Sequence, residues 1–74
     1  MPYVNIKLLD ENVSREQKSE VIARVTQALV EVLGKRPEAC NIVIDEVGLD
    51  NWGIAGVTVN EYRKSPPRRS DAHE

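Results

Sequence analysis

The apolar and polar residues of the chain fall into two kinds of period. Over Pro2–Leu9, Val4, Ile6 and Leu8 alternate with Tyr3, Asn5 and Lys7, and Leu9 closes the run. A two-residue period predicts a strand with one apolar face and one mixed face. From Val21 onward the apolar residues are Val21, Ile22, Val25, Ala28, Leu29, Val32 and Leu33. That is the spacing of one helical stripe, which is expected to cover the sheet. Glu20, Arg24, Gln27 and Glu31 fall mainly off the stripe, as a solvated face would. A later run, Cys40–Val47, is rich in β-branched residues and predicts a second strand.

The residues between these runs define their ends. Asp10–Val13 is a polar connector, and Ser14-Arg15-Glu16-Gln17 has the S-x-x-Q form of a capping box with Ser14 as N-cap. Gly34 stands where a left-handed C-cap is wanted. Pro37 cannot continue the helix and biases Arg36 towards an extended backbone, so Lys35–Ala39 is a loop. Gly48–Asn51 is a turn by composition, and it delivers Trp52-Gly53-Ile54-Ala55-Gly56 and then the β-prone Val57-Thr58-Val59. The two glycines point to tight backbone approach in a short hairpin, a candidate for pairing with a neighbouring subunit.

Two strands joined by a helix form a β-α-β unit whose strands lie parallel with a right-handed crossover. The fold class is therefore α+β: one β-α-β unit with a C-terminal short hairpin, over residues 1–62. Residues 63–74 carry no apolar stripe to offset their ordering entropy and are expected to form a disordered tail with a solvated basic cluster.

Size adds a requirement. A chain of 74 residues buries only about 60% of its unfolded surface, and its core supplies roughly 3–5 kcal/mol. With one cysteine there is no intramolecular disulfide, and no Cys/His cluster has zinc spacing. Self-association is the remaining way to stabilise such a fold. A formal charge of −2 argues against a nucleic-acid partner. No apolar run approaches the roughly 20 residues of a membrane span, and a cytoplasmic protein is expected.

The candidate chemistry is concentrated at the start of the chain. Met1 precedes a small residue and is expected to be removed, and nothing before it resembles a targeting segment. Pro2 would then carry a free secondary amine. Model α-amino groups titrate at about 7.7–8.0, and burial beside apolar groups disfavours the ammonium form, so this nitrogen can serve as a base near neutral pH. The plainer alternative is that Pro2 only starts a strand, where its missing N–H costs nothing. Cys40 fits a small buried hydrophobe, because no histidine accompanies it: the only one, His73, lies in the tail.

Pro2, the Ser14-Arg15-Glu16-Gln17-Lys18 segment, the β-branched second strand and Asp50-Asn51-Trp52-Gly53-Ile54-Ala55-Gly56 occur in an order that resembles the small 4-oxalocrotonate tautomerase family. The resemblance runs from Pro2 to about Gly56. It implies a β-α-β protomer whose dimer forms a four-stranded sheet with helices on one side, commonly as a trimer of dimers. It also implies that Pro2 is the general base, that Trp52 lines the pocket and that Ile54 is its apolar neighbour. Family members acting on dicarboxylates place one arginine before the helix and another at the start of the second strand. The matching positions here are Asn12 or Val13, and Asn41. Arg36 or Arg15 would have to supply a cation instead. The substrate-binding candidates are thus Trp52, Ile54, Asn41, Leu9 and Arg36, with no metal and no cofactor.

Three functions follow from this resemblance. The first is keto–enol or double-bond isomerisation of a 2-oxo acid or related enol. The second uses the same nitrogen in a hydratase, dehalogenase or decarboxylase, or as a nucleophile forming an iminium. The third is a non-catalytic companion subunit of a tautomerase-like oligomer.

Overall fold

The computed structural model describes residues 1–64; the remainder of the expected tail lies outside them. The elements are β1 (Tyr3–Leu9), α1 (Arg15–Leu33), β2 (Asn41–Val47), β3 (Gly53–Ile54), β4 (Val57–Thr58) and α2 (Val59–Lys64). β1 and β2 pair in parallel, with Tyr3 opposite Asn41 and Leu9 opposite Val47. The expected β-α-β unit is present. Val4, Ile6 and Leu8 of β1 and Ile42 and Ile44 of β2 are half-buried, whereas Tyr3, Asn5, Lys7, Val43 and Asp45 are exposed. The two-residue period therefore sorts the sheet into a covered face and an open one.

The predicted capping box opens α1. Ser14 Oγ accepts from the Gln17 N–H at 3.0 Å, and Gln17 Oε1 accepts from the Ser14 N–H at 2.9 Å. Two of the donors that every helix N-terminus leaves without an intrahelical partner are thereby satisfied. At the other end Gly34 adopts φ 67° and donates to Val30, while Lys35 donates to Leu29, closing the last turn. Arg36 is extended at ψ 140°, as a residue before proline prefers, and Pro37–Ala39 forms one 3-10 turn.

The stripe of α1 covers the sheet only in part. Lys18, Val25, Thr26, Leu29 and Val30 are half-buried, but Val21, Ile22, Val32 and Leu33 remain exposed. The apolar arc of the helix is wider than two strands can cover. Lys18 extends across to Glu46 at 2.6 Å, a helix-to-sheet ion pair with both side chains about one-third exposed. Among the described residues, Val59 is the only buried apolar side chain.

β3 and β4 form the expected hairpin, with Gly53 opposite Thr58 and Ile54 opposite Val57. Ala55 and Gly56 make its loop at φ 55° and 84°, the double left-handed conformation that matches strand twist. Gly56 is thus needed for its φ. Tight approach does not explain Gly53, because a Cβ there would meet the Val57 carbonyl at an ordinary 3.7 Å.

The pattern of Val57-Thr58-Val59 suggests a continuous strand, yet α2 begins at Val59. Thr58 Oγ1 accepts from the Glu61 N–H at 3.1 Å, and Arg63 forms an ion pair with Glu11. α2 thus includes Arg63 and Lys64. None of the helices among the described residues is long and apolar enough to cross a membrane.

Candidate active site

Pro2 is half-buried at the head of β1. Its carbonyl accepts from the Asn41 N–H at 3.0 Å, so the ring is anchored to the start of β2 through the main chain. With Met1 attached, the Pro2 nitrogen is a tertiary amide and carries no basic lone pair; Met1 itself is 88% exposed. Asn41 shares this end of the sheet, but its side chain is exposed and approaches only the Ala39 carbonyl, at 3.5 Å. Arg36 lies one turn earlier in the chain. Its side chain is 80% exposed, with the guanidinium 3.8 Å from Glu38, so it is not enclosed within one protomer.

Trp52 occupies the opposite end. It is half-buried after the 3-10 turn Leu49–Asn51, its carbonyl accepting from the Val59 N–H at 2.7 Å. It lines an open cavity of about 390 Å³ together with Lys7, Val47, Asn51 and Gly53. Leu9 is half-buried opposite Val47 in the strand register, while Ile54, 41% exposed on β3, does not line this cavity. Asp10 donates to the Val47 carbonyl at 2.8 Å, pinning this end of β1 as Asn41 pins the other.

The structure therefore brings Pro2 and Asn41 together at one end and Leu9 and Trp52 at the other. Asn41 and Val47 stand six residue steps apart on β2, which at the rise of a parallel strand is about 20 Å. One protomer does not assemble the candidate residues into one site. The sequence pattern also left Lys7 unassigned. Its place on the same strand face as Leu9 was a signal, since side chains two apart share a face. Lys7 Nζ lies 2.6 Å from Asp45, its register partner on β2, with the two side chains 58% and 49% exposed.

Comparison with known proteins agrees with the fold. A probable tautomerase from Dickeya dadantii is 52% identical over 64 residues, covering 86% of this chain and 96% of the relative. The 2-hydroxymuconate tautomerase of Comamonas testosteroni is 46% identical over 61 residues, covering 82% and 95%. The solved structure of DmpI from Helicobacter pylori superposes with a TM-score of 0.79 at 38% identity, covering 86% of this chain and 98% of that one. The family model described as "Tautomerase enzyme" matches residues 2–62, and the chain belongs to that family.

Proposed function

We propose that the chain is an isomerase in which the Pro2 amine, freed by removal of Met1, moves a proton within a 2-oxo acid or its enol. The nitrogen takes a proton from the enol oxygen, or from the carbon beside the carbonyl, and returns it to a carbon of the conjugated system. The net reaction consumes nothing. Membership of a family of tautomerases supports the reaction class. The observation that carries the assignment to Pro2 is its half-buried place at the strand head, held by the Asn41 N–H. A fixed base loses less entropy in reaching its substrate than a mobile terminus does.

The reading requires self-association as a dimer or a trimer of dimers. Among the described residues β1 has β2 on one side and no strand on the other. Antiparallel pairing of β1 with a second copy would continue the sheet to four strands. It would also place Pro2 of one copy beside the partner's Leu9 and the partner's Trp52, closing the separation that exists within one protomer.

The test compares the native chain with Pro2→Ala on phenylenolpyruvate, after intact mass has established loss of Met1. General-base catalysis contributes about 10²–10⁴-fold, so turnover should fall by at least about a hundredfold. Unchanged turnover removes the claim. The companion-subunit reading is favoured by one observation, that Asn12, Val13 and Asn41 are all uncharged; a purified chain that retains Met1 would support it. Borohydride trapping separates the nucleophilic use of the amine, because only an iminium is reduced to a permanent adduct.

A further inference from the structure

The geometry points to Lys7 as the residue that binds the substrate's carboxylate, at the floor of the Trp52 cavity. The inference rests on the isomerase reading above and specifies how the site recognises an acid without the arginines it lacks. Lys7 lines the same cavity of about 390 Å³ as Trp52 and Val47, so a cationic and an aromatic residue border one space. A 2-oxo acid has this pair of features, a carboxylate at one end and an apolar or conjugated body at the other.

Asp45 does not exhaust the ammonium. The group has three N–H donors, and the 2.6 Å contact with Asp45 uses one. That contact also restrains a long side chain that would otherwise lose rotamer entropy on binding. Asp45 is itself the register partner of Lys7 on the adjacent strand, so the restraint is built into the sheet.

Other cations are placed elsewhere. Lys18 is engaged by Glu46 between α1 and β2, Arg24 by Glu20 one turn along α1, and Arg63 by Glu11. Arg36 projects into solvent, 80% exposed. Among the described residues that line the Trp52 cavity, Lys7 is the cation.

The experiment uses the full chain and two readouts. In the first, kcat and KM are measured for phenylenolpyruvate and for its methyl ester with native protein, Lys7→Met and Lys7→Arg. Lys7→Met should raise KM for the acid about tenfold, the weight of one charge-assisted hydrogen bond. It should leave the ester unaffected, and Lys7→Arg should restore most of the loss. In the second, quenching of Trp52, the single tryptophan of the chain, is titrated with 4-phenylbutyrate and with 4-phenylbutyramide. Native protein should bind the acid more tightly than the amide, and Lys7→Met should abolish the difference. Equal loss for acid and ester, or no preference for acid over amide in the native protein, overturns the inference. The two readings fail separately: unchanged turnover in Pro2→Ala ends the isomerase mechanism, while the titration still decides the role of Lys7.

Discussion

The N–H of Asn41 donates to the carbonyl of Pro2 across 3.0 Å, so the tether that fixes the candidate base is made entirely of main chain. The Asn41 side chain takes no part in it and is exposed. It follows that the side chain can be exchanged without displacing Pro2. Asn41→Arg should therefore fold normally and add a cation at the Pro2 end of the sheet, opposite to that of Lys7. Charge-assisted bonds are about twice as strong as neutral ones, and kcat/KM for a dicarboxylate enol should rise about tenfold. Steady-state kinetics on dicarboxylate and monocarboxylate enols provide the check, and an equal change for both would contradict it.

The hairpin loop offers a stabilising substitution. Ala55 sits at φ 55° beside Gly56 at φ 84°, and a non-glycine residue with a Cβ is strained there by about 1 kcal/mol. Asparagine tolerates the left-handed region through local hydrogen bonding. Ala55→Asn should raise stability by about 0.5–1 kcal/mol. Ala55→Val should lower it by at least as much. Guanidinium midpoints at matched protein concentration will show the two shifts in opposite directions.

The two cross-element ion pairs should behave differently. Lys18–Glu46 joins α1 to β2 with side chains 31% and 28% exposed, whereas Lys7–Asp45 lies on the open face at 58% and 49%. Solvent screens the second pair more. Glu46→Gln should cost about 1 kcal/mol and Asp45→Asn less than about 0.5 kcal/mol. The former loss should persist in high salt and the latter should vanish. Double-mutant cycles with Lys18→Met and Lys7→Met isolate each coupling.

Removing the helix cap tests a feature visible in the sequence itself. Ser14→Ala deletes the acceptor of the Gln17 N–H while keeping the main-chain N–H that donates to Gln17 Oε1, and should cost about 1 kcal/mol. Thermal unfolding at fixed concentration will register the loss, and Ser14→Asp should recover most of it because aspartate also caps.

Why some parts of the molecule could be read from sequence and others not has a physical basis. Ser14 and Gln17, Gly34, Pro37 and the alternation of β1 act over a few residues, and each left a local signature that the structure matches. α2 carries one too, the T-x-x-E of Thr58-Val59-Asn60-Glu61, but the β-prone Val57-Thr58-Val59 outweighs it in the pattern, and the helix also depends on Arg63 meeting Glu11 and on Val59 bonding to Trp52. The last two are contacts with residues outside α2. The width of the apolar arc on α1 likewise becomes informative only when the area of the sheet is known. The same holds for the site. Pro2 and Trp52 were identifiable as residue types suited to the chemistry, but their separation by the length of β2 appears only in the fold, and Lys7 gained meaning only when it was found to share a cavity with Trp52.

That separation leads to the last prediction. Val59 alone is buried among the described residues, while Tyr3, Val32 and Leu33 are 63%, 78% and 58% exposed. So much open apolar surface on so small a fold leaves little core to offset the entropy of ordering the chain. If self-association covers this surface, folding and assembly are one equilibrium, and the thermal midpoint must rise with protein concentration. Sedimentation velocity should show a multimer of this chain, and Leu33→Glu should dissociate it and lower the midpoint. Activity should fall in step with dissociation, because Pro2 and Trp52 lie at opposite ends of the two-stranded sheet, whose β2 is about 20 Å long. A monomer that retained full turnover would show that one chain suffices, and the shared site would have to be abandoned.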